Sequence, residues 1–246
     1  MSNIIIEEKL SDNKYTAMQK SWFQKEGETK GAGMDKNNHT FHNGNPDYWD
    51  ILVKDTTTTY NPYNVNDYTD KMGLDFGCGC GRNILSIANR FKRFDGVDIS
   101  SNLIDRTRDN LNEANIKNSE LYVCNGTDLD IIDDEQYDFI MSTIVMQHIC
   151  VYDIRYSYLK EFYRILKTGG LLSFQMGYGR GHGKVEYHEN FYDATETNGR
   201  CDVIVDNPEQ ITTDLEKIGF TDISYQIRSS FSDKHPQWIF VKAKKG

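Results

Sequence analysis

The run Leu74-Asp75-Phe76-Gly77-Cys78-Gly79-Cys80-Gly81-Arg82-Asn83 has the residue types of a strand that ends in a glycine turn and opens a helix. Glycines at alternate positions leave the turn without side chains, so a ligand can approach the main chain, and the next helix begins with free N–H groups pointing at it. That is the chemistry of a nucleotide-cofactor turn. The spacing Gly-x-Gly-x-Gly, with Asp75 two residues before Gly77, departs from the Gly-x-Gly-x-x-Gly dinucleotide fingerprint and points away from NAD. A second acid, Asp98, closes the short apolar run Phe94-Asp95-Gly96-Val97-Asp98-Ile99. It lies ~20 residues after Gly77, the separation at which a strand-end carboxylate accepts hydrogen bonds from the hydroxyls of a cofactor ribose. Either feature alone has a structural explanation, as a tight turn or as a cap for a helix beginning at Ser100 or Ser101. In register, the two specify a cofactor site.

Such residues need a sheet behind them. After the turn, Ile84, Leu85, Ile87, Ala88 and Phe91 fall on one helical face. A charge-rich helix spans Leu103 to Ala114, and the run Leu121-Tyr122-Val123-Cys124-Asn125-Gly126-Thr127-Asp128-Leu129 follows it. Tyr137-Asp138-Phe139-Ile140-Met141-Ser142 and Val145-Met146-Gln147-His148-Ile149 come next, then Leu159 to Leu166, Lys167-Thr168-Gly169-Gly170 and Leu171 to Met176. Resemblance to a known fold makes these a strand and the loop at its end, then a helix, its glycine stop and another strand. Thr221 to Arg228 and Gln237 to Lys244 supply two extended runs for an antiparallel finish.

In these motifs, from about Met72 to Met176, the chain resembles the class I S-adenosylmethionine-dependent methyltransferases of small-molecule type, whose first motif reads L-D-x-G-C-G-x-G. The resemblance implies an α/β architecture: a doubly wound, mostly parallel seven-stranded sheet with an antiparallel last strand, the Rossmann-like methyltransferase fold, plus an N-terminal helical cap. It implies S-adenosyl-L-methionine as cofactor and S-adenosyl-L-homocysteine as product. By the same resemblance Gly77, Gly79 and Gly81 meet the methionine and ribose parts, Asp98 with Ile99 the ribose, and Asn125, Gly126, Thr127 and Asp128 the adenine edge. The family places an aspartate near Asn125 to accept from the adenine amino group. An amide oxygen still accepts, and Asp128 is the alternative. Asp75 either anchors the cofactor's ammonium, directly or through water, or stabilises the turn.

A sulfonium already activates its methyl group, so the protein has to hold donor and acceptor in line, exclude water and remove a proton. Histidine suits proton removal near neutral pH, and six are present: His39, His42, His148, His182, His188 and His235. His148 is the candidate catalytic base, because it emerges from the strand end that the resemblance places beside the methyl; a backbone-bonded core histidine is the alternative. His182 and His188 come next, in a glycine-rich loop. His182, Glu186, His188 and Glu189 have metal-ligand types at irregular spacing, and no metal is expected. Tyr15, Tyr178 and Tyr192 are candidate pocket phenols, with ordinary packing as the rival account. Arg82, Arg180 and Arg200 are candidate binders of a phosphate or carboxylate, and surface ion pairs explain them equally well.

At 246 residues the chain can bury one good core. The expected organisation is an N-terminal helical and loop cap over residues 1–71, with a helix from Lys14 to Lys25, and a methyltransferase domain over 72–246 carrying a loop insertion at 177–206. No apolar run approaches the ~20 residues of a membrane helix, and Met1 to Leu10 lacks the pattern of a secretion signal, so a cytoplasmic protein off the membrane is expected. The odd count of five cysteines fits a reduced compartment, and Cys78-x-Cys80 has the wrong spacing for a zinc knuckle.

The net charge is −9, from 28 basic against 37 acidic residues, and the only basic block is Lys242 to Lys245. Phosphate neutralisation needs more than that, so no nucleic-acid partner is expected. Tyr60-Asn61-Pro62-Tyr63 is similar to the Asn-Pro-Pro-Tyr motif of amino-group DNA methyltransferases but sits at the wrong place in the chain order, and it reads as a turn. The sequence-level expectation is methyl transfer to an oxygen or nitrogen of a small polar metabolite by a monomer or homodimer. The asparagine-, lysine- and isoleucine-rich composition, with the resemblance, extends this to sugars or phosphate-bearing precursors of a bacterial surface polysaccharide. RNA or protein methylation, or cofactor binding without catalysis, are the rival expectations.

Overall fold

A computed structural model describes residues 14–28, 68–181, 185–190, 202–229 and 236–246, and the side chains within these except 26–28. Helix α1 (Lys14–Glu28) precedes strand β1 (Tyr68–Phe76), which turns at Gly77–Gly81 into the short helix α2 (Arg82–Ile87). Strand β2 (Phe91–Asp98), helix α3 (Ser101–Glu113), strand β3 (Leu121–Val123) and strand β4 (Tyr137–Ser142) follow. Then come helix α4 (Tyr152–Ile165), strand β5 (Leu166–Tyr178) and two short paired strands, β6 (Val185–Glu186) and β7 (Val203–Ile204). Helix α5 (Glu209–Ile218) and strands β8 (Phe220–Ser229) and β9 (Gln237–Lys245) close the chain.

Seven strands form one sheet in the order β3-β2-β1-β4-β5-β9-β8. Neighbours from β3 through β5 run parallel, and β9 runs antiparallel between β5 and β8. The expected doubly wound sheet with its antiparallel last strand is therefore present. Successive residues of a strand face opposite sides, and the core divides accordingly. Phe139 and Met141 pack with Ile84, Phe94 and Ile104, while Ile140 packs with Leu159, Phe162 and Phe174. The chain winds outward from β1 through β3 and then crosses to β4. That reversal opens a crevice at the carboxyl ends of β1 and β4, the place where such sheets bind ligands.

Local differences from the sequence expectation have local causes. Phe91 does not continue a helical face, because α2 ends at Ile87 and a single 3-10 turn (Ala88–Arg90) leads directly into β2. Asn118 Nδ2 bridges this corner, donating to the carbonyls of Ala88 at 2.7 Å and Phe91 at 3.1 Å. Lys167-Thr168-Gly169-Gly170 is not a helix stop but an irregularity inside β5: Leu166 pairs with Tyr137, whereas Leu171 pairs with Phe139. Gly169 takes up the distortion at φ 78°. Helix α3 begins at Ser101, two residues ahead of Leu103, because Ser100 caps it, accepting from the Leu103 N–H at 3.2 Å.

Cys78, Cys80 and Cys124 are free thiols and buried, as the glycine-turn reading requires of the first two. Cys150 is disulfide-bonded, a state that the cysteine count did not announce. No helix among the described residues is long and apolar enough to cross a membrane.

Candidate active site

The glycine turn is built from main-chain contacts. Gly77 and Cys78 donate their N–H groups to the Val97 carbonyl at 2.8 and 3.1 Å, fastening the end of β1 to the end of β2. Gly77, Gly79 and Gly81 have φ of 74°, 57° and 81°, a region that glycine enters without steric cost. Their surroundings differ. A Cβ on Gly77 would strike Val145, and one on Gly81 would come within 2.7 Å of Thr107, whereas a Cβ on Gly79 would meet nothing among the described residues within 4 Å. Gly79 thus faces open space, as a cradle for a ligand must.

Asp98 accepts from Gly79 N–H at 3.0 Å and from Ser100 N–H at 2.9 Å, so the predicted ribose carboxylate touches the turn it was paired with by spacing alone. Asp75 is fully buried; its Oδ1 accepts from Asn83 Nδ2 at 3.1 Å, and its Oδ2 has no hydrogen-bond partner among the described residues. A buried carboxylate oxygen without a donor is costly, and a ligand ammonium or a water would satisfy it. Burial, with the neighbouring Asp98 charge adding to it against the Asn83 hydrogen bond, pushes Asp75 up to about 7. Burial also raises Asp98 to about 6 in spite of its N–H donors. An open cradle beside two carboxylates short of positive charge fits a sulfonium nucleoside with a free ammonium.

The loop after β3 has its own logic. Asn125 Oδ1 accepts from Thr127 N–H at 2.8 Å, Thr127 Oγ1 at 3.0 Å and Asp128 N–H at 3.0 Å, while its Nδ2 donates to Asp128 Oδ1 at 2.7 Å. Both ends of the amide are committed to a closed turn, which ends β3 at Val123 and leaves half-buried Asp128 as the carboxylate at this edge. Gly126, at φ 98°, has no room for a side chain, since a Cβ would lie 2.5 Å from Thr16 and 2.8 Å from Ile99.

Thr16 belongs to α1, and this helix crosses the strand ends. Tyr15 Oη donates to the His148 carbonyl at 3.0 Å and accepts from Cys150 N–H at 2.7 Å. Gln19 Nε2 also donates to the His148 carbonyl, at 3.1 Å, and Gln24 Oε1 accepts from Asn102 N–H at 3.1 Å. The predicted pocket phenol Tyr15 is therefore a buried strut between α1 and the segment after β4.

That segment is the far wall of the crevice. Val145 packs on Gly77, and Ile144 takes φ 57°, a strained conformation for a β-branched residue, with its N–H donating to Gln175 Oε1 at 2.9 Å. The 3-10 turn Met146–His148 follows. His148 is buried, and its Nδ1 shares a short hydrogen bond with the buried carboxylate of Asp202. Sequence reading missed Asp202, which lies 54 residues downstream, near the end of the insertion. It also missed Asn83, the partner of Asp75, although an amide in the first turn after the glycines was a usable signal.

Other candidates fall away from this crevice. His188 is exposed, with its ring 5.1 Å from Tyr152. Arg180 is exposed and pairs with Glu186 at 3.2 Å and Asp206 at 3.0 Å, and Tyr178 Oη donates to the Asp206 carbonyl at 3.1 Å. His39, His42, His182, His235, Tyr192, Arg200 and the Tyr60–Tyr63 turn lie outside the described residues.

Residues 74–170 match a family model described as a methyltransferase domain. These residues carry a methyltransferase domain. A probable cobalt-precorrin-6B C(15)-methyltransferase (decarboxylating) of Methanococcus vannielii is 32% identical to it over 78 residues, 32% of this chain and 43% of that protein. The chain therefore spans less than half the length of this curated relative. Haemonchus contortus phosphoethanolamine N-methyltransferase 2, solved with S-adenosyl-L-methionine, shares the fold at a TM-score of 0.67 and 20% identity, over 92% of this chain and 60% of that one. Geranyl diphosphate C-methyltransferase of Streptomyces coelicolor A3(2), solved with Mg2+, geranyl diphosphate and S-adenosyl-L-homocysteine, does so at 0.64 and 13%, over 96% of this chain and 100% of that one.

Two results are expected of the methyltransferase domain. Asp98→Ala should weaken S-adenosyl-L-homocysteine binding by roughly 1.5 to 3 kcal/mol, the worth of charge-assisted hydrogen bonds; calorimetry showing no change would remove Asp98 from the site. The second concerns pH. Both carboxyls have folded values above the ordinary 3.8, so the ligand-free fold holds protons that the unfolded chain releases. Their contribution to stability is complete below about 3.8 and is lost as pH rises through about 6 and 7. A cationic ligand with hydroxyl donors prefers the ionised carboxylates, so its affinity should rise with pH across that same window, with protons released on binding. A flat affinity from pH 5 to 8, on the order of one pKa unit to either side of the two values, would contradict this placement.

Proposed function

We propose that this chain is an S-adenosyl-L-methionine-dependent methyltransferase that acts on an oxygen or nitrogen of a small polar metabolite. The observation that carries the reading is the pairing of the open cradle at Gly79 with the partnerless Oδ2 of Asp75, on the switch-point crevice of a methyltransferase domain. Bound S-adenosyl-L-methionine supplies a methyl group already activated by its sulfonium. Gly77, Gly79 and Gly81 allow the main chain to approach it, Asp75 takes its ammonium, Asp98 with Ile99 its ribose, and Gly126, Thr127 and Asp128 border its adenine, with Asn125 shaping the loop. Helix α1 lies over the strand ends and excludes water. His148 is the base that takes the acceptor's proton.

The acceptor class rests on independent support. The basic block at the chain end is not displayed for phosphate contacts: Lys242 and Lys245 are buried, and Lys245 Nζ donates to the Leu166 carbonyl at 2.8 Å. An RNA acceptor is disfavoured on that ground. The H. contortus enzyme was also solved with phosphomonomethylethanolamine and the S. coelicolor enzyme with geranyl diphosphate, so a phosphate-bearing metabolite is the finer reading. Arg82, half-buried at the start of α2, is its candidate recognition group.

The experiment is a screen for S-adenosyl-L-homocysteine release across sugars, sugar phosphates, phosphorylated amino alcohols and simple amines. Turnover with a member of the panel, and a mass gain of one methyl in that member, is the expected result. Methylation confined to RNA or protein added in parallel would overturn the small-molecule reading.

A further inference from the structure

We propose that Asp202 is the positioning residue of the base: it holds His148 with its proton on Nδ1, leaving Nε2 as the nitrogen that receives the acceptor's proton. The inference rests on the reading of His148 above and deepens it, because it assigns the acceptor to the protic class: an alcohol, a phenol, or a primary or secondary amine in its neutral form.

The geometry over-determines the histidine. Its N–H donates to the Val145 carbonyl at 2.8 Å, and its carbonyl accepts from Tyr15 Oη at 3.0 Å and Gln19 Nε2 at 3.1 Å, so the backbone is fixed by its own turn and by α1. The ring is then fixed by Asp202 through Nδ1. Asp202 in turn enters β7, where Val203 pairs with Val185, and the Val205 carbonyl beyond accepts from Gly179 N–H at 2.8 Å. Both members of the pair are buried. An ionised carboxylate can only accept, so Nδ1 must be the donor; the other tautomer would set a nitrogen lone pair against a carboxylate oxygen.

With Nδ1 protonated, the Nε2 lone pair is the basic one. Methylation of an O–H or N–H releases a proton as the acceptor's lone pair bonds to the methyl carbon and the carbon–sulfur pair leaves with sulfur. Nε2 takes that proton, the resulting imidazolium is compensated by the adjacent Asp202 carboxylate, and the proton is later lost to water. A thioether or tertiary amine has no proton to surrender and would make no use of the pair.

The test uses the full chain labelled with nitrogen-15 in histidine and saturated with S-adenosyl-L-homocysteine. The His148 ring signals are assigned by their loss in His148→Asn, and long-range proton–nitrogen spectra at neutral pH report which nitrogen is protonated. The wild type is expected to show Nδ1–H with an unprotonated Nε2. Asp202→Asn should reverse or mix the tautomers, and Asp202→Glu should restore the wild-type pattern, with ligand affinity unchanged in both. On an acceptor found by the screen, Asp202→Asn should turn over about 100-fold more slowly, at the lower end of general-base effects.

An Nε2–H tautomer in the wild type, or unchanged ring signals in Asp202→Asn, would overturn the inference while leaving the cofactor site intact. Failure of the wild type to bind S-adenosyl-L-homocysteine would instead defeat the cofactor reading, and the same spectra recorded without ligand would still decide the role of Asp202.

Discussion

Gly79→Val is expected to abolish binding of S-adenosyl-L-methionine and S-adenosyl-L-homocysteine while leaving a folded core. The backbone at this position has φ 57°, where an L-residue pays about 1 to 2 kcal/mol, a tolerable fraction of the 5–15 kcal/mol typical of a folded domain. A Cβ at this position would meet nothing among the described residues within 4 Å. It would project into the cradle itself, so the loss falls on the ligand rather than on the fold. Gly79→Ala carries the same backbone strain with a smaller obstruction and should bind weakly. Cooperative thermal unfolding of both variants, read beside calorimetry, separates occlusion from misfolding. Undiminished binding in Gly79→Val would place the cofactor elsewhere.

His148→Asn is expected to slow methyl transfer by about 10²- to 10⁴-fold, the range for loss of a general base, while leaving S-adenosyl-L-homocysteine affinity unchanged. Asparagine is the informative choice because its Nδ2 can still donate to Asp202. Alanine would take this hydrogen bond away from a buried carboxylate, at a further cost of about 1 to 3 kcal/mol in stability. Single-turnover rates on the acceptor found by the screen, measured at saturating cofactor, are the readout. A variant that keeps full rate would return His148 to the rival account, a core histidine that ties α1 and Asp202 to the end of β4.

The parts of this protein legible from sequence are those whose signal is local. Three glycines at alternate positions imply a turn that only glycine can make, and φ values of 74°, 57° and 81° are what that turn required. Tyr137–Ser142 reads as a strand through the family resemblance and is one. The doubly wound, mostly parallel sheet with its antiparallel last strand followed from the resemblance to class I methyltransferases, whereas its strand order comes from the structure.

What was hidden depends on distant partners. Asp202 meets His148 because the pairing of β6 with β7, inside the insertion, returns the chain to the crevice, and nothing around Asp202 in the sequence marks it. The commitment of Asn125 to its own loop was likewise invisible, since an asparagine after a strand reads the same whether it faces a ligand or closes an Asx turn. Phe91 fits a helical face and a strand start equally well, and Asn118, far along the chain, decides between them.

The central claim is that the glycine turn and Asp98 hold one sulfonium nucleoside. Titration of the unmodified chain with S-adenosyl-L-methionine by isothermal calorimetry tests it most directly, with NADH as competitor. The account predicts saturable binding at a single site per chain, undisturbed by NADH. Binding of NADH in its place, or no heat from S-adenosyl-L-methionine, would contradict it.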